Sequence, residues 1–271
     1  MAEITAAMVK SLRDRTQLPM MECKKALQQA EGDEEKAIDI LRKSGKAKMS
    51  SRTDRETAEG RIAIYKGDNG SVAMVEILCE SAPVANNTEF VELANALAKQ
   101  LAEGPGAQTP EELLAQGDLQ LRFDDVMNKI REVFKLKRIL RVDGAKVGTY
   151  VHHDAKTGVI LEVEGDAEDV ANSLCMQICA MKPQAVSSDD LDPEVVKKER
   201  EIAEEQTRNA NAGKPDSIIA RIVEGRLKAV LKEICLVDQE YFVDSSKSVG
   251  QVAKEAGLKL KKFHRWVLGG N

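Results

Sequence analysis

Apolar and polar residues follow two different periods along the chain, and these periods divide it into helices and strands. In residues 1–45 apolar positions recur every three to four residues, which predicts three short helices. Thr5 is placed to cap the first helix, Pro19 to begin the second and Asp33 to cap the third. Gly45 is expected to end the third helix. A bundle this small has little core, so we expect a tethered docking domain.

Residues 46–58 carry many charges and no apolar period, which predicts a linker. Their Lys and Arg side chains would attract phosphates, but the interspersed Asp54 and Glu56 favour a solvated segment. After this linker, residues 61–65 alternate between apolar and polar, a turn at residues 68–70 follows, and residues 72–78 return as a second strand.

The next segment is a predicted loop, Ser81-Ala82-Pro83-Val84, between the second strand and a helix that begins near Thr88. Pro83 fixes its own φ, offers no backbone N–H and keeps Ala82 extended. The loop holds no His, no Ser beside a base and no Gly-rich phosphate cradle. A stiff tip without reactive groups suits contact with a partner better than turnover of a substrate.

The layout of strand hairpin and helix then recurs further along the chain. Short helices are predicted from Pro110 and from Asp124 or Asp125, followed by a strand over residues 135–142. Ten residues separate Gly60 from Gly70 in the first hairpin, and the same spacing joins Gly148 to Gly158 in the second. Two related α+β subdomains with mostly antiparallel sheets are therefore predicted.

Two long helices follow, from Asp192-Pro193 to about Asn211 and from the Gly213-Lys214-Pro215 break to about Ile234. They predict a projecting antiparallel helical hairpin, a short coiled coil. A strand around residues 241–243, a helix at 248–257 and a strand at 258–268 close the chain. The predicted α+β architecture is a helical domain at 1–45, a linker at 46–58, a core N-subdomain at 59–142 and a core C-subdomain at 143–271, with the hairpin at about 192–235.

Composition narrows the function classes. The apolar fraction is 42% but aromatic residues make up only 3%, which favours several small aliphatic cores. A net charge of −5 and a pI near 5.5 give no reason to expect nucleic-acid or membrane binding. The chain shows neither a secretory leader nor a membrane-spanning run, and its five cysteines favour reduced thiols, so we expect a cytoplasmic protein.

Two constellations keep other functions open. Cys175 and Cys179 lie one helical turn apart near His152 and His153, which is the basis for a zinc-dependent enzyme as an alternative. Neighbouring His residues on a strand point to opposite faces, so buried thiols are favoured and neither metal nor cofactor is expected. The basic and aromatic run at 259–266 fits RNA binding, but it also fits a strand with one buried and one wet face, which is the favoured interpretation.

A series of short motifs adds a family resemblance. The N-terminal motifs are Leu12-Arg13-x-x-Thr16, Met20-Met21-x-Cys23-Lys24-Lys25-Ala26-Leu27, Gly32-Asp33 and Leu41-Arg42-x-Ser44-Gly45. The later ones are Lys182-Pro183, Gly213-Lys214-Pro215, Val223-Glu224-Gly225-Arg226 and Ser246-Lys247-x-Val249-Gly250-Gln251. In this order they resemble bacterial elongation factor Ts, the exchange factor that releases GDP from elongation factor Tu. The resemblance covers most of residues 4–268 and is weakest between about 104 and 140.

The resemblance implies a fold, a partner and a set of contacts. The N-terminal domain would be ubiquitin-associated-like and dock on the G domain of elongation factor Tu, in its GDP-bound and nucleotide-free forms, with Arg13, Met20 and Met21 as candidate contacts. On physical grounds alone, gap-filling core residues are the favoured interpretation of the two methionines. His152 would face the distal domain of the partner, with an exposed strand histidine as the alternative. No covalent chemistry, direct nucleic-acid contact or membrane is implied.

The predicted loop departs from the family pattern. The corresponding family segment is commonly Thr-Asp-Phe-Val, whose Phe wedges beside the partner's magnesium, whereas this chain has Ser81-Ala82-Pro83-Val84. Pro83 would act as a smaller rigid wedge, which we favour because a stiff loop loses little entropy on insertion. Two other accounts are exchange through the docking domain and second subdomain, and a binder that exchanges poorly. An RNA- or ribosome-associated translation accessory protein without exchange activity also stays open.

Overall fold

The computed structural model describes residues 4–50, 54–211 and 213–270, with only the backbone described for residues 46–50. The chain forms two compact units. The first consists of Met1–Val142, Asp154–Lys156 and Leu268–Asn271, and the second of Asp143–His153 and Thr157–Val267. Each unit has its own apolar core and its own antiparallel sheet. The predicted α+β class with small antiparallel sheets is confirmed.

The first unit begins with the predicted three-helix bundle: α1 (Ala6–Thr16), α2 (Met20–Gln29) and α3 (Glu34–Ser50). The Thr5 hydroxyl accepts a hydrogen bond from the Met8 N–H at 3.3 Å and so caps α1. The buried core of the bundle is small and aliphatic, as its length allows: Val9, Leu12, Cys23, Ala26, Leu27, Ala30, Ala37 and Leu41.

The predicted end of the third helix at Gly45 is wrong, because α3 continues to Ser50. Gly45 instead lies against the side chain of Asn128, and a Cβ on Gly45 would come within 2.5 Å of the Asn128 Cγ. This glycine therefore permits close approach of a neighbouring helix. The first five residues of the predicted linker are helical as a result.

The rest of the first unit is a three-stranded sheet with helices packed on it. The strands β1 (Glu59–Lys66), β2 (Val72–Cys79) and β3 (Lys135–Val142) pair antiparallel in that order. The helices are α4 (Ala82–Ala85), α5 (Thr88–Glu103), α6 (Pro110–Leu114) and α7 (Leu119–Ile130). β2 is buried along its whole length, and the apolar stripe of α5 packs on the sheet.

The predicted start of α7 at Asp124 or Asp125 is wrong, since the helix begins at Leu119. Both aspartates point to polar partners from within the helix. Gln120 donates to Asp124 at 2.8 Å, and Arg42 of α3 donates to Asp125 at 3.0 and 3.2 Å. The sequence pattern alone does not distinguish an aspartate that caps a helix from one that pairs with a side chain from inside the helix.

The second unit repeats the plan of the first. Its strands are β4 (Lys146–Val151), β5 (Thr157–Glu164), β6 (Glu240–Tyr241), β7 (Asp244–Ser248) and β8 (Lys259–Val267), and its helices are α8 (Glu168–Met181), α9 (Pro193–Ala210), α10 (Asp216–Ile234) and α11 (Val249–Glu255). In both units the second hairpin strand pairs antiparallel with a third strand that comes later in the chain.

The α9–α10 pair is the predicted antiparallel hairpin. Arg200 of α9 pairs with Glu224 of α10, and Ala203, Ile219 and Val223 form a small apolar cluster between the helices. The predicted strand at residues 241–243 is wrong in part, because Phe242 and Val243 lie in the turn between β6 and β7. Their side chains are exposed there, and the short apolar run gave too few positions to fix a period.

Candidate partner-binding surface

The prediction of a loop with an extended Ala82 is wrong, because Ala82 begins the single helical turn α4 and Pro83 and Val84 continue it. Ser81 precedes the turn with extended backbone, and Pro83 lies in its first turn, where a missing N–H does no harm. Ala82 and Pro83 are exposed, Val84 is half-buried against the core and Ala85 is buried. The turn therefore presents Ala82 and Pro83 to solvent from a base anchored in the core.

Side chains from distant parts of the sequence hold both ends of α4. The Glu132 carboxylate accepts from the Ser81 N–H at 3.0 Å and from its hydroxyl at 2.6 Å. At the other end, the Arg61 guanidinium donates to the Ala85 carbonyl at 2.9 Å. Within the turn, the Asn86 side chain donates to the Ala82 carbonyl at 3.2 Å. The turn is a preformed feature, which agrees with the predicted stiffness.

The thiol of Cys79 lies beneath the turn in an unreactive, protonated state. Cys79 ends β2, is fully buried, and donates from its thiol to the Ser81 carbonyl at 3.3 Å. Burial raises the pKa of the Cys79 thiol to about 12, and the nearby Glu132 carboxylate adds to the rise. The neutral thiol therefore acts as a packed anchor for the turn. Burial also lowers the pKa of Arg61, whose Nε has no hydrogen-bond partner in the described part of the chain.

The candidate contacts of the N-terminal bundle are all exposed. Arg13 lies on α1, and Met20 and Met21 open α2 with 52% and 62% of their surface accessible. The alternative that these methionines fill the core is therefore wrong, since Cys23, Ala26 and Leu27 form the buried face of α2. Two neighbouring exposed thioethers are suited to an adaptable protein contact. Their role as partner contacts stays a prediction.

The start of α2 and the α4 turn are joined through the end of α7. Glu22 pairs with Arg131 at 3.2 Å, and the next residue, Glu132, holds Ser81. Gln17, in the connection between α1 and α2, lines a cleft of about 510 Å³ together with the start of α5. The candidate contacts at Met20 and Met21 and those at Ala82 and Pro83 are thus linked by two residues of the first unit.

His152 belongs to the second unit. It follows the last residue of β4, so the alternative of a histidine on the strand is wrong. Its Nδ1 lies 3.0 Å from the Tyr150 hydroxyl, its backbone N–H donates to the Thr157 carbonyl at 2.8 Å, and the side chain is half-buried. His152 is accordingly a partly accessible residue in a hairpin turn, and its role as a partner contact stays a prediction.

The premise used against a zinc site was also wrong. The rings of His152 and His153 lie edge to face with centroids 4.3 Å apart, because the two residues are in a turn. Within residues 4–50, 54–211 and 213–270, however, no three His, Cys, Asp or Glu side chains are grouped so that they could hold a metal ion. The described residues therefore provide no set of ligands for the zinc-dependent enzyme that was considered as an alternative.

The basic run at residues 259–266 lies on β8, and acidic residues of β5 offset part of its charge. Lys261 pairs with Glu164, and the His264 Nε2 lies 3.1 Å from Glu162. The Lys261 pair lowers the pKa of Glu164 and keeps its carboxylate ionised. A cation that is already paired with a carboxylate contributes less to counterion release, which weakens the case for RNA binding by this strand.

Glu132, Arg61 and Arg131 shape the candidate surface, and the sequence analysis missed all three. Glu132 is 51 positions from Ser81, and Arg61 is 24 positions from Ala85. No local pattern marks such residues, since a lone charged side chain beside an apolar run is common on any surface. The lack of a side-chain cap from Ser81, which leaves room for Glu132, is itself visible only in the structure.

No helix among the residues that the structure describes is both long and apolar enough to pass through a membrane.

Comparison with known proteins places the chain in a family. The family model described as Elongation factor TS matches residues 83–270. The chain is 43% identical to Elongation factor Ts of Corynebacterium jeikeium and 41% identical to that of Corynebacterium urealyticum, in both cases over 99% of each chain. It is 39% identical to Elongation factor Ts of Burkholderia thailandensis over 99% of this chain and 92% of the relative. The chain belongs to the elongation factor Ts family.

Proposed function

We propose that the protein promotes GDP release from elongation factor Tu in protein synthesis. The observation that carries the proposal is the α4 turn, which exposes Ala82 and Pro83 on a base fixed at both ends. A preformed turn inserts into a partner without the entropic cost of ordering a loop. Membership of the elongation factor Ts family supplies the partner.

Exchange requires differential affinity and no covalent chemistry from this chain. The protein must bind nucleotide-free elongation factor Tu more tightly than the GDP-bound form, and linkage makes GDP weaken its binding in return. In this proposal Pro83 presses beside the magnesium site of the partner. Loss of Mg²⁺ removes the largest positive charge that holds the diphosphate.

The other candidate contacts hold the partner while the turn acts. The exposed Met20 and Met21, with Arg13 on the neighbouring helix, dock on the G domain. His152 contacts the distal domain from the second unit. This assignment makes the protein a cytoplasmic translation factor that acts on a protein partner and needs no cofactor of its own.

The test is release of a fluorescent GDP analogue from the cognate elongation factor Tu, with and without catalytic amounts of the protein. We expect acceleration that falls on Pro83→Gly, which removes the ring and frees the backbone that Pro83 stiffens. The matched control is Pro105→Gly, because Pro105 is equally exposed but lies beyond the opposite end of α5.

Each other outcome assigns a different mechanism. Acceleration that is indifferent to Pro83→Gly would place exchange at the docking helices or the second unit. Tight binding of nucleotide-free partner with no acceleration would make the protein a binder only. Affinity for RNA that falls steeply with salt, in place of both, would favour the translation accessory alternative.

A further inference from the structure

Two neighbouring side chains at the end of α7 extend to two different elements. Arg131 follows α7 with a positive φ of 69°, and its backbone N–H donates to the Met127 carbonyl at 2.8 Å. The reversal directs the Arg131 guanidinium to Glu22 on α2. Glu132 then places both carboxylate oxygens on Ser81.

The two elements held in this way are those that carry the candidate contacts. Glu22 follows Met20 and Met21 directly, and Ser81 directly precedes Ala82 and Pro83. A path of two hydrogen-bonded or ionic contacts and one peptide bond therefore joins the docking helix to the turn. Both contacts use side chains of adjacent residues, so the positions of the two elements are tied to the same short segment at the end of α7.

Polar side chains bridge the junction between the bundle and the helices beside it. A half-open cleft of about 420 Å³ lies there, lined by Leu18, Ile38, Leu41 and Val126 and also by several charged side chains. Next to it Arg42 binds Asp125 at two points, and Glu22 binds Arg131. Polar contacts therefore contribute to holding the bundle in place.

We infer that Arg131 and Glu132 are positioning residues, which set the separation of the Met20–Met21 pair from the Ala82–Pro83 turn before the partner arrives. The effect of these residues on GDP release rests on the proposed function, whereas the separation that they set rests on the described contacts. The Glu22–Arg131 pair is a third to a half exposed, so it contributes little to the free energy of unfolding. Its loss is expected to affect exchange by adding conformational freedom to two contacts that must act together.

The geometry is tested by distance measurement on the full chain. Spin labels at Met21→Cys and Ala82→Cys, with the partly exposed Cys179 replaced by Ser, report the separation by pulsed electron spin resonance. We expect a narrow distribution in the parent, a broader or shifted one in Arg131→Glu, and recovery in the charge-swapped double variant Glu22→Arg with Arg131→Glu. An unchanged distribution in Arg131→Glu would overturn the inference.

The consequence is tested by GDP release with the unlabelled proteins. Arg131→Glu is expected to lower kcat/KM about fivefold, and the swap to restore it to within about twofold, as for directly coupled residues. Full activity of Arg131→Glu together with a broadened distance distribution would overturn the positioning role. Failure of the parent protein to accelerate release would instead refute the proposed function, and the distances would still decide the geometry.

Two substitutions of Glu132, one conservative and one not, test the inference independently of Arg131. Glu132→Gln keeps one carbonyl oxygen for the two Ser81 donors, whereas Glu132→Ala leaves both without an acceptor. We expect the activity loss and the distance broadening to rank in the order Ala, then Gln, then the parent. A loss of activity in Glu132→Ala with a parent-like distance distribution would contradict a positioning role.

Discussion

The Glu76 carboxylate lies against the guanidinium of Arg138 on the neighbouring strand, with the Arg138 Nε donating to Glu76 Oε2. Glu76 is fully buried in the central strand of the first unit, whereas a fifth of the Arg138 side chain is accessible. The second carboxylate oxygen accepts from the Gly269 N–H at 2.7 Å. One buried acid therefore joins two strands and the C-terminal segment of this unit.

This asymmetry in exposure predicts unequal effects of removing either partner. Arg138→Met leaves a buried carboxylate without its cation and is expected to cost about 3–5 kcal/mol of unfolding free energy. Glu76→Gln leaves a cation that still reaches water and keeps an acceptor for Gly269, so we expect about 1–3 kcal/mol. Thermal unfolding followed by circular dichroism measures both. A larger loss in Glu76→Gln than in Arg138→Met would contradict the argument.

The exposed methionines of α2 predict a separation of binding from stability. Replacing Met20 and Met21 together by Ala is expected to change the unfolding free energy by less than about 1 kcal/mol, because neither side chain is buried. The affinity for elongation factor Tu should fall by roughly tenfold or more, as for a truncated interface anchor. Titration calorimetry with nucleotide-free partner gives the affinity.

Leu27→Ala is the control for this pair, since Leu27 belongs to the same helix but is fully buried. It is expected to lose about 2–5 kcal/mol of stability through the cavity it creates. Unchanged affinity in the double Met variant would remove this end of α2 from the interface. A large loss of stability in that variant would show that the methionines pack in solution.

Strong local periods explain what the sequence predicts well in this fold. The α5 stripe from Phe90 to Leu101 repeats every three to four residues and has a side-chain cap in Asn87, so its start near Thr88 is fixed locally. The bounds of β3 at residues 135–142 likewise agree with the predicted strand. Each of these elements carries its own start and stop signals within a few residues.

The parts that sequence analysis misses depend on contacts between distant residues. Gly45 is a residue type that often ends a helix, but here it lies inside α3, where the Asn128 side chain of α7 packs against it. The α4 turn likewise depends on Glu132 and Arg61, which only the fold brings to it. The exposure of Met20 and Met21 could not be predicted from the sequence either, because an apolar side chain is compatible with both a core position and a partner contact.

Two glycines of the second unit predict opposite effects of the same substitution. A Cβ on Gly148 in β4 would lie 2.4 Å from backbone atoms of Ala171 in α8, so Gly148→Ala must push helix from strand. We expect a loss of about 1–3 kcal/mol. Gly225 in α10 has nothing within 4 Å of such an atom, and Gly225→Ala should stabilise the helix by about 0.5–1 kcal/mol. Thermal unfolding midpoints that move in the same direction would contradict this assignment.

Cys79 makes the stability of the first unit depend on pH above neutrality. Burial raises the pKa of the folded thiol to about 12 from an ordinary value of 9.0. Below pH 9 the thiol is protonated in both states, and its contribution to stability is fully present. Between pH 9 and pH 12 the unfolded thiol loses its proton while the folded one keeps it, which favours the unfolded state increasingly as the pH rises.

Cys79→Ala removes this titration, so the stability advantage of the parent over the variant is expected to shrink from pH 8.5 to pH 11. Urea unfolding of both proteins across that range measures the difference, in which all other titrating groups cancel. Val75→Ala is the matched control, because Val75 is a fully buried residue of the same strand and has no titrating group. Its destabilisation should stay constant with pH. A constant difference for Cys79→Ala as well would mean that the folded thiol ionises near its ordinary pKa, and that the base of the α4 turn is open to water.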